Sequence, residues 1–237
     1  MKFKGILFDK DGTLIESDGT WIPLYRRVLM RMKGVGETQA NQLLALAGYD
    51  AASDRMIGGS VLAGGTTKQL VKIWWPDATD SERSRIGGEI DATDKDAVSA
   101  KALPLVDLAL VFETLKNAGM RLGVATNDSY VSAHRHMVQL GVQHYFDAII
   151  GADSVDDPKP SGDMIRKFAE VTGLERSEII MVGDNHHDME EARNGAAGYR
   201  VAVLSGNGDR GQLAHLADVT LSNIAELPMH LESLRVL

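Results

Sequence analysis

The chain of 237 residues contains no cysteine, six prolines and 5% aromatic residues. Without thiols, disulfides, thiolate nucleophiles and cysteine-ligated zinc are all excluded. A cysteine-free composition fits a reducing cytosol, so a cytoplasmic location is expected. Basic residues are also in deficit: 25 Lys and Arg face 33 Asp and Glu, for a net charge of -8 and a pI near 5.4. That balance argues against nucleic acid as a partner, because phosphate-backbone binding wants a basic face. It leaves small phosphorylated molecules open, since a bound divalent cation reverses the local sign. No apolar run approaches the roughly 20 residues that a membrane span needs. The stretch Met1 to Asp9 reaches a carboxylate early and has no small-residue cleavage site, so it does not read as a signal peptide. A soluble chain without a membrane partner is expected, as a monomer or homodimer.

Apolar residues make up 44% of the chain, enough for one large domain or a core with an insertion. They gather in short runs that stop abruptly at polar residues. Gly5-Ile6-Leu7-Phe8 leads into Asp9, Leu122-Gly123-Val124-Ala125 into Thr126-Asn127-Asp128, and Ile179-Ile180-Met181-Val182 into Gly183-Asp184. Continuous apolar runs of this kind read as buried parallel strands, and residues 148–150 and 199–204 read as two more. Helical patterns fill the gaps, over 106–118 after Pro104 and before Gly119, and over 129–140, 164–172 and 188–194, each ending at a glycine. The alternation predicts an α/β fold: a doubly wound, mostly parallel Rossmann-like sheet. It also puts Asp9, Thr126 and Asp184 on one rim, at the C-terminal strand ends. Residues 17–100 break the pattern, with helical stretches around 21–33, 37–47, 66–75 and 80–97 and no clear buried strand. They are expected to form an all-helical cap domain inserted into a core of residues 1–16 and 101–237. The linkers are expected near Glu16–Thr20 and Ala100–Pro104.

Asp9-Lys10-Asp11-Gly12-Thr13 carries the sharpest chemical signal. Two carboxylates two residues apart, at the end of a buried strand, can converge on one metal and one electrophile. The first can attack phosphorus, and the second can protonate the leaving oxygen and later activate water. By itself the stretch also reads as a capped turn, where Asp and Gly abound. Thr126 and Asn127 offer a hydroxyl and amides to a phosphate oxygen, although a Thr after a strand is commonly a helix cap. Lys159, between Pro158 and Pro160, is a cation on a stiff segment, although a lone lysine is usually a solvated surface residue. Asp184 and Asp188, four residues apart across a helix start, offer oxygen ligands suited to Mg2+. His186 and His187 diverge on a helix and lack cysteine partners, which disfavours zinc.

FDKDGTL, ATND, DDPKP and VGDNHHD stand in the order and approximate spacing of the four motifs of the haloacid dehalogenase superfamily. The sequence most resembles its phosphoglycolate phosphatase-like branch, which carries a helical cap after the first motif. The resemblance implies a phosphoric monoester hydrolase with Asp9 as nucleophile and Asp11 as general acid/base. It implies Mg2+ held by Asp9, the Asp11 carbonyl, Asp184 and Asp188, the last directly or through water. Thr126 and Asn127 would bind phosphate, and Lys159 would steady it. In the cap, Asp54-Arg55-Met56-Ile57-Gly58-Gly59 resembles a substrate-facing loop, making Arg55, Gly58 and Gly59 candidates; a surface arginine is the alternative there. Lys10 departs from the pattern, since relatives commonly carry Leu or Met between the two aspartates. Residues 16–21 and Gly162 depart as well. The expected substrate is a small phosphorylated metabolite resembling 2-phosphoglycolate. Two rival readings are a phosphoglucomutase-like phosphotransferase and a non-enzymatic phospho-acceptor of the receiver type. Receivers, however, carry their aspartate on the third strand of a chain about half as long.

Overall fold

Strand β1 (Gly5–Phe8) is buried along its whole length, as a run without polar residues requires. The computed structural model describes residues 2–32, 34–96 and 102–236. Two compact units emerge, Met1–Glu16 with Leu103–Leu237, and Ser17–Ala102.

The inserted unit contains helices α1 (Asp18–Arg31) and α2 (Glu37–Ala47), a strand pair β2 (Tyr49–Asp50) and β3 (Arg55–Met56), and helices α3 (Val61–Gly64), α4 (Thr67–Trp74) and α5 (Asp80–Asp96). Trp21, Tyr25, Val28 and Leu29 fall at helical spacing on α1 and pack with Leu44, Leu70, Val71 and Trp74 in one apolar cluster. Trp74 Nε1 donates to the Leu43 carbonyl at 2.9 Å, so the buried indole keeps its hydrogen bond. Thr66 and Gln69 form a capping box that starts α4. The antiparallel pair β2 and β3 is a departure from the all-helical expectation. Two-residue strands leave no periodicity to read. The local signal is Asp50, whose carboxylate accepts from the Ala52 N–H at 3.0 Å and the Ser53 hydroxyl at 2.6 Å and so reverses the chain. Of the expected helix 80–97, residue 97 lies outside the described residues, as do residues 100 and 101 of the second expected linker.

The larger unit continues with α6 (Leu108–Asn117), β4 (Arg121–Ala125), α7 (Tyr130–Gln139), β5 (Ala148–Ile150), α8 (Asp163–Thr172), β6 (Ile179–Gly183), α9 (His186–Asn194), β7 (Tyr199–Val203), α10 (Arg210–Leu213), β8 (Val219–Leu221) and α11 (Leu227–Ser233). The strands form a six-stranded sheet in the order β5-β4-β1-β6-β7-β8, with every pairing parallel. This is the doubly wound α/β fold expected from the apolar runs, extended by β8. The sequence does not announce that last strand, because Thr220 interrupts its three residues and they show no continuous apolar run.

Two features position the site. After β1 the next core strand, β4, lies on one side of β1; after β6 the next strand, β7, lies on the other. The chain therefore switches direction between β1 and β6, and ligands of such sheets bind outside the C-terminal strand ends at that point. Phe8 is in register with both Val124 and Val182, which brings the residues following all three central strands to one rim. Met164, Ile165 and Phe168 of α8 pack against Leu7, Ala125, Ile179 and Met181 below that rim. Burying a side chain such as Phe168 contributes about 1.5–3 kcal/mol, which anchors the strands carrying the site.

Candidate active site

Asp9 follows β1 directly, and its N–H donates to the Val182 carbonyl at 2.8 Å, continuing the ladder with β6. Its carboxylate is buried, as are those of Asp184, after β6, and Asp188, on α9. One oxygen from each of the three lies within 4.8 Å of the others. The Lys159 ammonium donates to Asp9 Oδ1 and to Asp188 Oδ1, both at 2.7 Å. Fully ionised, the three carboxylates and one ammonium would carry two net negative charges, the charge a divalent cation supplies in reverse. Burial and the nearby Asp188 charge push Asp9 up to about 7, against the opposing pull of Lys159. Asp184 is likewise held well above the ordinary carboxylate range by burial and by Asp9 and Asp188. Burial disfavours the Lys159 charge, but Asp188 and Asp9 outweigh it and hold the ammonium protonated.

Surrounding groups fix the cluster. Asp184 Oδ2 accepts from the Asn207 N–H at 2.9 Å, and Asp184 Oδ1 from the Thr13 hydroxyl at 3.4 Å. Asp188 Oδ2 accepts from the Asn185 N–H at 2.9 Å at the start of α9. Gly12 has φ +85°, and a Cβ there would lie 2.6 Å from Asp184 Oδ2. A Cβ at Gly206 would lie 1.9 Å from the same oxygen. Both glycines let backbone approach the carboxylate more closely than any side chain permits. The Ser205 hydroxyl donates to the Gly12 carbonyl at 2.7 Å, joining the two loops.

Glu191 supports the site from a position that the sequence pattern does not reveal. It is fully buried on α9, and its carboxylate accepts from the N–H groups of Gly162, Met164 and Ile165 at 2.6, 2.9 and 3.2 Å. It thereby caps α8 and ties the helix bearing Asp188 to the loop bearing Lys159. The one available signal is its position three residues after Asp188, on the same helix face. Burial raises its pKa against these donors.

The other expected residues divide. Thr126 is buried on the same rim, and its Oγ1 accepts from the Asp128 N–H at 3.2 Å. Asn127 Nδ2 donates to the Lys159 carbonyl at 3.2 Å, so this side chain braces the lysine segment. Asp11 turns its carboxylate to Lys10 Nζ, at 2.9 and 2.7 Å, and is not among the three carboxylates that cluster around Lys159. Arg55, Gly58 and Gly59 belong to the inserted unit. There the Arg55 Nε pairs with Asp18 Oδ2 at 3.1 Å, and both glycines are exposed in a turn. Asp18 also accepts from the Met56 N–H at 3.0 Å, so it braces β3 from α1.

The chain is similar to several known proteins. Over 116 residues the chain is 36% identical to a phosphoglycolate phosphatase of Neisseria meningitidis, covering 48% of each chain. It is 35% identical over 98 residues to the pyrophosphatase PpaX of Bacillus velezensis, covering 40% of this chain and 44% of that one. The matched segment thus spans about half the length of these curated relatives. A solved hydrolase structure from Pseudomonas syringae superimposes with a TM-score of 0.71 at 21% identity, over 97% of this chain and 98% of that one. The model of the haloacid dehalogenase-like hydrolase family matches residues 6–204, from β1 through β7 and so across every residue of the carboxylate cluster. The chain belongs to the haloacid dehalogenase-like hydrolase family.

Proposed function

We propose that the protein is a Mg2+-dependent phosphatase that hydrolyses small phosphate monoesters through an aspartyl phosphate on Asp9. The observation that carries this reading is the buried cluster of Asp9, Asp184 and Asp188 bridged by Lys159 at the switch point of the sheet. An Asp9 oxygen attacks phosphorus, the bond from phosphorus to the ester oxygen breaks, and Asp11 gives its proton to the departing alkoxide. Asp11, now a carboxylate, takes a proton from the water that attacks the aspartyl phosphate, releasing inorganic phosphate and restoring Asp9. Thr126 and Asn127 bind the phosphoryl oxygens, and Lys159 offsets the charge gathered around them. The oxygen-rich, cysteine-free donor set and the two uncompensated charges fit a hard divalent ion held by Asp9, the Asp11 carbonyl, Asp184 and Asp188. When bound, Mg2+ would neutralise phosphoryl charge.

The relatives named above favour 2-phosphoglycolate as the substrate and make pyrophosphate the second compound to assay. On the family resemblance, Arg55, Gly58 and Gly59 are assigned to substrate selection. Arg55 suits a substrate with a second anionic group, because its planar fork matches a carboxylate. Phosphate release should be measured across 2-phosphoglycolate, pyrophosphate, sugar phosphates, nucleotides and a phosphopeptide. The expected result is the highest kcat/KM on a small anionic monoester, silenced by EDTA and restored by Mg2+ better than by Ca2+. Full activity in EDTA, rescue by Zn2+ alone, or preference for the phosphopeptide contradicts the proposal.

A further inference from the structure

Lys10 sits between the two aspartates of the first motif and is fully buried. Its ammonium contacts Asp11 Oδ1 at 2.9 Å and Oδ2 at 2.7 Å, His136 Nδ1 at 3.3 Å and Asp128 Oδ2 at 3.4 Å. The ammonium hydrogen-bonds Asp11 and His136 and forms a longer ion pair with Asp128. One of those side chains, His136, lies on α7, and another, Asp128, stands in the loop just before the Ser129 cap of that helix. Asp128 Oδ1 accepts from the Ser129 N–H at 2.7 Å where α7 begins, and His136 is buried on α7 itself. Burial, and then the Lys10 charge, hold His136 down to about 3, so its ring is neutral and Nδ1 accepts from Lys10. Burial disfavours a charge on Lys10, but Asp11 and Asp128 outweigh it and keep its pKa above the ordinary lysine value. If the position served packing alone, an apolar side chain would fill it without desolvating an ammonium.

We propose that Lys10, braced by Asp128 and His136, is a positioning residue that orients the Asp11 carboxyl group for proton transfer to the leaving oxygen. The proposal rests on the reading of Asp11 as the general acid/base. An unbraced aspartate samples several rotamers, whereas a carboxyl group touched at both oxygens by a fixed cation is held in one. The ammonium also faces the charge that appears on Asp11 once its O–H bond has broken and the proton has passed to the alkoxide. Misplacing a reacting group by about 1 Å costs up to about a hundredfold in rate.

The test is the ratio of kcat/KM for the best alkyl phosphate of the panel to kcat/KM for p-nitrophenyl phosphate. Both values report steps up to cleavage of the ester bond, and only the alkoxide needs protonation. Lys10→Met should lower the ratio about ten- to a hundredfold. Asp11→Asn should lower it as well, and Lys10→Met in the Asp11→Asn background should lower it no further. Asp128→Asn keeps the local shape and should lower it in the same direction, which decides the matter if Lys10→Met does not fold. An unchanged ratio in folded Lys10→Met, or failing that in Asp128→Asn, overturns the role of Lys10. So does a further multiplicative fall in the double variant, which would mark Lys10 as merely structural. A ratio unmoved by Asp11→Asn instead removes the acid assignment, and the proposal with it.

Discussion

Asp9 and Lys159 form a buried ion pair with 2.7 Å between Oδ1 and Nζ, although 150 residues separate them in sequence. The same ammonium lies 2.7 Å from Asp188 Oδ1. One cation therefore spans the proposed nucleophile and a carboxylate of the helix that follows β6. The cluster as a whole is short of positive charge, and this imbalance underlies the first two expectations.

Lys159→Met leaves three buried carboxylates without their cation. Breaking one partner from a buried pair costs on the order of 3–5 kcal/mol, because the remaining charge stays desolvated. Denaturant unfolding in EDTA should show a loss of this size, and saturating Mg2+ should recover part of it by binding only the folded state. Turnover of p-nitrophenyl phosphate should fall by about 10²–10³. Unaltered stability in EDTA would mean that Lys159 does not compensate the cluster.

Gly206→Ala places a methyl group where the Cβ would stand 1.9 Å from Asp184 Oδ2 and 2.8 Å from the Gly12 Cα. Either Asp184 or the loop must move, while the strands below are untouched. Calorimetric titration should give Mg2+ binding weaker by about 10- to 100-fold, with far-UV circular dichroism unchanged. Wild-type Mg2+ affinity in this variant would exclude Asp184 as a ligand.

His136 links the Lys10 network to pH. Its folded pKa is about 3, below the unfolded value of about 6.5. Between those values the unfolded chain binds a proton that the folded chain does not. The stability contributed by neutral His136 is thus present above about pH 6.5 and is lost as pH falls toward about 3. Asp9 and Asp184, with raised values, act in the opposite direction, and they do so equally in both proteins compared. His136→Gln keeps an acceptor for Lys10 but removes the titration. Its stability should fall less than that of the wild type between about pH 6.5 and 5, by about 2 kcal/mol. Parallel stability curves for the two proteins would refute this linkage.

The strand ends are legible because a short apolar run fits a buried strand, and a carboxylate that stops it marks the end of that strand. Asp9 and Asp184 stand out for that reason, and the alternation of such runs with helical patterns carries the doubly wound sheet. Lys10 is not legible as a buried residue. It lies in a polar motif, and its partner His136 is 126 residues away, so nothing local distinguishes it from a solvated lysine. The Asn207 contribution to Asp184 is a backbone N–H, which no side-chain pattern encodes. Glu191 reads as an ordinary helix glutamate until α8 is folded against α9 and offers it three N–H groups. The two-residue strands β2 and β3 fall below the length at which a period can be seen, and β8, unlike the apolar β5, is interrupted by Thr220.

The covalent step on Asp9 is central to the proposed chemistry, and trapping the phosphoenzyme tests it most directly. The Asp11→Asn variant should be mixed with p-nitrophenyl phosphate and Mg2+, quenched in acid and mapped by peptide mass spectrometry. The leaving group then departs without an acid, while the water step lacks its base, so the intermediate should accumulate. The expected result is a burst of nitrophenolate matched by phosphoryl groups on Asp9. Neither signal should arise in a folded Asp9→Asn protein, which should not turn over. Phosphorylation at another residue, or substantial turnover by purified Asp9→Asn, would contradict covalent catalysis by Asp9.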